Sequence, residues 1–278
     1  MSLFLKHPGK VEWTTNQIQR ISEISRKYGE GKIYTTTREG IYVPGVDLDN
    51  AEVKEAVVGI LEKVNLKASK TTEKACTSRS LLNFNVCIGR PVCPKGLANV
   101  KELAEILRDI AEDYQAAGAL PGDVRVALSG CPNRCARPQV NDIGIHGCEQ
   151  VYTNSRYCIG CLNCVEACYC VAIKRDGEGI IQRDYKRCSN CGFCRKVCPA
   201  GATQTSQYFY ELSFGGRLGR LPKPPEFTLE AYSRQEAINI FNKALEIYSK
   251  DAQGGGRFSN WLEGFGGERL KNILAEVK

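Results

Sequence analysis

The chain has 278 residues, 42% of them hydrophobic and 25% charged, with a formal net charge of +7 and 15 cysteines. That length admits two or three small domains with hydrophobic cores, and the odd cysteine total argues against a closed disulfide framework. The start, MSLFLKHPGKVEW, reads as neither signal peptide nor anchor, and no apolar stretch nears the ~18 residues that span a bilayer, so a cytoplasmic protein with no membrane partner is expected.

In chain order, residues 14–28 place Ile18, Ile21, Ile24 and Tyr28 at helical spacing, with Gly29 as the stop. IYTTTREGIYV then reads as two short strands around Arg38, Glu39 and Gly40, closed by Pro44 and Gly45. Residues 50–64 repeat the helical signal through Val53, Ala56, Val57, Ile60, Leu61 and Val64. Helix, β-ribbon and helix make an α+β half-domain, assigned to residues 1–70. A second half-domain is assigned to 71–149, where Cys87-x5-Cys93 and Cys131-x3-Cys135 bracket an amphipathic helix through Leu97, Val100, Leu103, Ala104, Leu107, Ile110, Ala111 and Tyr114. Gly118 ends that helix, and Pro121-Gly122 turns the chain into the strand VRVALS, which delivers Cys131. The two cysteine pairs therefore meet through a strand-helix-strand excursion.

Eight more cysteines fall in residues 150–206 as two C-x2-C-x2-C-x3-C runs: Cys158, Cys161, Cys164 and Cys168, then Cys188, Cys191, Cys194 and Cys198, followed by Pro199. This is the bacterial two-cluster ferredoxin pattern, in which the fourth cysteine of each run ligates the other cluster. One cluster is thus assigned to Cys158, Cys161, Cys164 and Cys198, the other to Cys188, Cys191, Cys194 and Cys168. Zinc knuckles also use C-x2-C and are the alternative. Beyond them, 207–214 reads as a strand and GGRLGRLPKPP as a basic loop. Ser233 and Glu236 form a capping box that opens a helix with Ala237, Ile240, Phe241, Ala244, Leu245 and Tyr248 on one face. Residues 207–278 are assigned to completing the second half-domain. The remaining cysteines, Cys76, Cys148 and Cys170, read as small buried residues, and His7 and His146 as structural or exposed. Iron-bound thiolates are anionic, so the basic excess reads as internal counter-charge and no nucleic-acid partner is expected.

Four thiolates at Cys87, Cys93, Cys131 and Cys135 suit one cubane 4Fe-4S cluster, because iron of this softness prefers sulfur. Their unequal gaps, with the second pair inside SGCPNRCARP, resemble the cluster signature of the sirohaem-dependent sulfite and nitrite reductases. The resemblance implies that Cys135 bridges cluster and sirohaem, and that residues 1–70 are the family's ferredoxin-like half-domain. The C-terminal strand, GGRLGR loop and helix also look like those of the anaerobic sulfite reductase C subunit. The fold class expected is α+β: a ferredoxin-like half-domain plus the sirohaem and 4Fe-4S half of the sulfite reductase fold, with an inserted two-cluster 4Fe-4S ferredoxin domain.

By the same resemblance the chain is an oxidoreductase that reduces sulfite to sulfide, or nitrite to ammonia. It carries sirohaem and three 4Fe-4S clusters, and an external electron donor feeds it through the ferredoxin clusters. The family builds its centre from two such modules, so a second copy or a related subunit is expected. Arg38 and Arg79 match arginines that line the family's anion site. Where the family usually carries two lysines before the Cys-x3-Cys pair, this chain has Asp123 and Arg125. Arginine still binds an oxyanion but is a poor proton donor, and aspartate repels a dianion. Arg134, Arg137, Arg217, Arg220 and Lys223 read as partners for the sirohaem carboxylates. The alternatives are an iron-sulfur electron-transfer subunit and a sirohaem-binding protein acting on another small substrate.

Overall fold

The computed structural model describes residues 2–6, 12–35, 40–66, 69–71, 82–177, 179–252 and 256–277. The chain divides into two compact units, residues 1–85 and 86–278.

The first unit runs β1 (Ser2–Lys6), α1 (Thr15–Tyr28), β2 (Tyr34–Thr35), β3 (Gly40–Pro44), α2 (Ala51–Glu62) and β4 (Ser69–Thr71). The strands form one antiparallel sheet in the order β2-β3-β1-β4. α1 opens on a capping box: Gln17 N–H donates to Thr14 Oγ1 at 3.2 Å, and Thr14 N–H donates to Gln17 Oε1 at 2.9 Å. Asn50 caps α2 by accepting from Glu52 and Val53 N–H. The core joins Leu3, Leu5, Ile41 and Val43 of the strands to Ile21, Ile24, Val57 and Leu61 of the helices, none more than 2% exposed. Ile18, expected on this face, is 41% exposed. Gln17 goes inside instead, and its amide donates to Val64 O at 3.2 Å. Sequence reading missed β1 and β4, which are too short to show alternation.

The second unit begins within β5 (Leu82–Val86) and continues through α3 (Gly89–Val92), α4 (Val100–Ala116), β6 (Val124–Ser129) and β7 (Ile143–Thr153). Then come α5 (Asn163–Glu166), β8 (Ile173–Arg175), β9 (Ile181–Arg183), α6 (Phe193–Lys196), β10 (Thr203–Phe214) and β11 (Phe227–Ala231). The chain closes with α7 (Arg234–Asp251), α8 (Phe258–Phe265) and α9 (Gly267–Ala275). The main sheet has the order β11-β10-β7-β6-β5; β6 and β7 are parallel, while β10 is antiparallel to both its neighbours. β7 and β10 run through the domain boundaries expected at 149/150 and 206/207. α4 buries Val100, Leu103, Leu107 and Ala111 and packs on α7, which buries Ile240, Phe241, Leu245 and Tyr248.

One buried carboxylate joins the C-terminal helices to the sheet. Asp142 is fully buried and accepts from Arg257 Nε at 2.8 Å, Ser259 N–H at 3.0 Å and Arg125 N–H at 2.8 Å. Burial pushes its pKa up while Arg257 and these hydrogen bonds pull it down, with burial the larger. Tyr248, Phe258, Trp261 and Phe265 form a cluster of tilted and edge-on rings at centroid distances of 4.8 to 5.2 Å.

Candidate metal centre

Two close backbone approaches bring Cys87, Cys93, Cys131 and Cys135 together at the end of β6. Cys87 follows β5, and its N–H donates to Leu128 O at 2.9 Å. The loop after it folds back so that Leu97 and Ala98 N–H both donate to Gly130 O, at 2.7 and 3.0 Å. Gly130 N–H in turn donates to Cys87 Sγ at 3.1 Å. A side chain at Gly130 would meet Gly89 Cα at 2.9 Å, and one at Gly147 would meet Ala98 Cβ at 2.7 Å, so both positions require glycine. The Cys131 thiol is raised in pKa by burial first, then by Cys87, Cys135 and Cys93, against one opposing backbone hydrogen bond. A crowd of mutually repelling thiolates is what a cationic cluster neutralises. Cys87, Cys93 and Cys131 are partly buried, whereas Cys135 is exposed.

The turn carrying Cys135 is held from below. Arg134 and Arg137 adopt left-handed backbone conformations, φ +51° and +57°, which are costly for side chains with a Cβ and persist where surroundings fix them. Arg134 is fixed by its side chain: Nη2 donates to Glu211 Oε1 at 3.0 Å, and Nε donates to His146 Nε2 at 3.4 Å. His146 is 2% exposed, and burial followed by Arg134 lowers its pKa to about 3, so it is a neutral acceptor. Cys148 is also buried, its pKa raised first by burial and then by Glu211. Arg137 is exposed beside Cys135.

The eight cysteines from 158 to 198 lie on two copies of one local design. Positive φ recurs at an offset of 30 residues, at Gly160 and Asn190, Leu162 and Gly192, and Val171 and Gly201. Each copy enters a short helix, α5 or α6, immediately after its second cysteine. Cys158, Cys161, Cys164 and Cys198 line one cavity together with Thr153 and Thr203. That is the crossed set expected from spacing, three ligands of the first run with the last of the second. Burial raises Cys198, but N–H groups of Thr203, Ala202 and Ala200 outweigh it and lower its pKa, favouring thiolate. On the other side Arg183 Nη1 donates to Cys194 Sγ at 3.4 Å and also bonds Cys188. Cys168 packs against the buried cluster of Val151, Cys164, Ile173 and Cys194. Among the described residues, no three Cys, His, Asp or Glu side chains stand close enough to share a single metal ion.

Several expected site residues are either not described or not brought to the cysteines. Arg38, Arg79, Cys76 and His7 lie outside the described residues. Asp123 and Arg125 share one face at the start of β6, but Cys131 follows its far end, roughly 20 Å of extended chain beyond Arg125. Asp123 O accepts from Phe258 N–H at 3.0 Å, and its carboxylate reaches Tyr248 electrostatically. Arg217 pairs with Glu263 at 3.1 Å and Asn260 at 3.0 Å. Lys223 pairs with Glu226 at 2.8 Å and Glu263 at 3.1 Å. Both cations expected to meet cofactor carboxylates are therefore engaged by the protein's own; Arg220 is exposed. His146, read as structural or exposed, is structural and buried, while Glu211 and Asp142 escaped sequence reading because Arg134 and Ser259, which bind them, lie 77 and 117 residues away.

The nitrite and sulphite reductase 4Fe-4S domain matches residues 77–278, and the nitrite/sulfite reductase ferredoxin-like half domain matches residues 2–57. The chain is 33% identical to the coenzyme F420-dependent sulfite reductase of Methanocaldococcus jannaschii over 85% of its own length and 36% of that protein's. It is 28% identical to the C subunit of the anaerobic sulfite reductase of Salmonella typhimurium over 55% of its length and 46% of that protein's. The chain thus spans about a third of the first relative and under half of the second. The structure of dissimilatory sulfite reductase I superposes with a TM-score of 0.69 at 14% identity, over 99% of this chain and 68% of that one, and so shares the fold. No helix among the described residues is long and apolar enough to cross a membrane. With one family domain matched over residues 77–278 and the other over 2–57, the chain belongs to the nitrite and sulphite reductase family.

Proposed function

We propose that this chain is a sirohaem and iron-sulfur reductase of sulfite or nitrite, with a two-cluster ferredoxin domain spanning about residues 150–206. Members of the family bind sirohaem and a 4Fe-4S cluster. The observation that carries the reading is the gathering of Cys87, Cys93, Cys131 and Cys135 at the end of β6, with Cys135 alone exposed. A thiolate facing outward from a four-cysteine nest is the one placed to reach a second group beyond the cluster. When bound, sirohaem and its cluster supply one-electron steps and hold the substrate; the rest falls to the protein. Gly130 and its neighbours fix the sulfurs, Arg134 holds the turn on His146 and Glu211, and exposed Arg137 is the cation best placed for a cofactor carboxylate. Arg38 and Arg79 remain the proposed anion ligands.

The ferredoxin reading rests on the repeat at an offset of 30 residues and on the cavity lined by Cys158, Cys161, Cys164 and Cys198. It brings the count to three clusters, fed by an external donor, and the centre is completed by a second copy or a related subunit. A second reading, an electron-transfer protein without sirohaem, is favoured by the pairing of Arg217 and Lys223 with Glu263 and Glu226. Anaerobic purification followed by absorption spectroscopy and viologen-driven turnover separates the two. Sirohaem bands with loss of sulfite or nitrite support the reductase, and cluster absorption alone overturns it.

A further inference from the structure

β7 threads past all three cysteine sets, and its register ranks them by distance. Gly147 packs on Gly130, the neighbour of Cys131: a side chain there would meet Gly130 O at 2.9 Å. Two residues on, Glu149 pairs by a backbone bridge with Cys191, and its N–H donates to Asn190 O at 2.6 Å. Four residues further, Thr153 lines the cavity of Cys158, Cys161, Cys164 and Cys198. At 3.3 Å per residue these positions lie roughly 7 and 20 Å along the strand from Gly147. A contact outside the strand agrees: Lys196, two residues after Cys194, donates from Nζ to Pro94 O, beside Cys93, at 3.1 Å.

From this register we infer that the Cys188, Cys191, Cys194 and Cys168 set is the inner relay, next to the Cys87 and Cys131 pairs, and that the Cys158 set is the outer one. The inference rests on the three-cluster reading above. Electron transfer decays steeply with distance, so the order fixes the route. With clusters bound, Cys158, Cys161, Cys164 and Cys198 would hold the one that takes an electron from a one-electron carrier protein, oxidising it, and Cys188, Cys191, Cys194 and Cys168 would hold the one that hands it on toward the Cys87 and Cys131 pairs, with no bond broken and no proton moved.

The junction has a dedicated clamp in Glu149. Its carboxylate is fully buried, and it accepts from Arg195 Nε, from Thr205 Oγ1 at 2.6 Å and from Tyr208 Oη at 3.4 Å. Thr205 and Tyr208 both reach it because a β-bulge interrupts β10 between Thr205 and Gln207. Gly192, inside the inner cysteine run, lies so close above the carboxylate that a Cβ there would meet Glu149 Oε2. A fully desolvated carboxylate is destabilising unless donors surround it, and here the donors come from both the sheet and the cysteine loop. Glu149 is therefore a positioning residue: it fixes the inner loop on the strand that also carries the Cys131 contact.

The test uses the anaerobically purified, reduced whole chain, with iron content and electron paramagnetic resonance as readouts. Magnetic coupling falls with the cube of distance, so the set nearer the Cys87 and Cys131 pairs dominates it. Cys191→Ser should remove the coupling seen on the signal of the Cys87 and Cys131 pairs, and Cys161→Ser should leave it. The reverse pattern, or equal loss, overturns the order. Wild-type iron too low to fill the two ferredoxin sets instead overturns the cluster reading itself. Glu149→Ala should keep its iron and at least halve the coupling, and Glu149→Gln, which retains an acceptor, should restore it. If Glu149→Ala does not fold, Lys196→Ala at the exposed edge of the junction should weaken the coupling alone. Unchanged coupling in whichever variant is folded and iron-loaded overturns the clamp.

Discussion

Acidification should loosen the second unit through His146. The imidazole is 2% exposed, and its Nε2 accepts from Arg134, so a proton there must be buried and must face a guanidinium. Burial first, then Arg134, lowers its pKa from 6.5 to about 3. Between those values the unfolded chain binds a proton that the folded chain refuses. The contribution is therefore whole above pH 6.5 and is lost as pH falls toward 3. At 1.36 kcal/mol per unit, the loss by pH 5 is about 2 kcal/mol. Glu211, 3.7 Å away, would attract an imidazolium, but burial raises the Glu211 pKa as well, so that attraction fades over the same range. Proteins with bound cofactors unfold irreversibly and outside two-state behaviour, so the assay is native-state hydrogen exchange at the β7 amides, corrected for intrinsic rates. His146→Gln, which offers Arg134 an oxygen and does not titrate, is the reference. Wild type should lose about 2 kcal/mol more protection than His146→Gln between pH 6.5 and 5. Parallel losses in the two proteins would refute the argument.

Asp142→Ala leaves Arg257 unpaired in the interior and frees the N–H groups of Arg125 and Ser259; a loss of about 3 kcal/mol is expected, and an anaerobic melting shift of only a degree or two would contradict it. Gly130→Ala puts a methyl 2.9 Å from Gly89 Cα, so the Cys87 and Cys131 pairs should fail to assemble and iron should fall by about four per chain, one cubane; full iron would show that the loop yields. Cys135→Ser should abolish sirohaem absorption while the iron of the two ferredoxin sets stays; undiminished sirohaem bands would remove Cys135 from the bridging role. Arg125→Ala should change the Michaelis constant for sulfite or nitrite by less than about threefold, because β6 carries that side chain roughly 20 Å from Cys131; a tenfold rise would bring it back to the anion.

Local signals made the four longest helices, α1, α2, α4 and α7, and the cysteine runs legible, while α8 and α9 went unread. Ser233 with Glu236 announces its helix within four residues, and the structure starts α7 there. The two C-x2-C-x2-C-x3-C runs carry the expectation of crossed pairing, and Cys198 lines one cavity with Cys158, Cys161 and Cys164. Ranges above a dozen residues were not legible in the same way. Nothing near Asp142 announces Arg257, and nothing near Arg134 announces His146 or Glu211, because a hydrogen bond between residues far apart in sequence leaves no periodic trace. The reading of Asp123 and Arg125 shows a subtler limit. Alternation assigns residues to a face of β6, but the length of the strand decides which end they occupy, and these two stand at the end away from Cys131.

β7 explains why the part hardest to read is the part that builds the site. IGIHGCEQVYT has glycine, histidine, cysteine and glutamate where a buried strand would show a run of branched apolar residues, so periodicity passes it over. Each departure answers a neighbour. Gly147 is bare because the Gly130 and Ala98 backbone lies against it. His146 is polar because Arg134 needs an acceptor inside the unit. Glu149 is charged because Arg195, Thr205 and Tyr208 converge on it beneath the loop of Cys191. A strand shaped by what crosses it loses its own pattern, and the same three residues that erase the pattern hold the Cys131 turn and the Cys191 loop in one register.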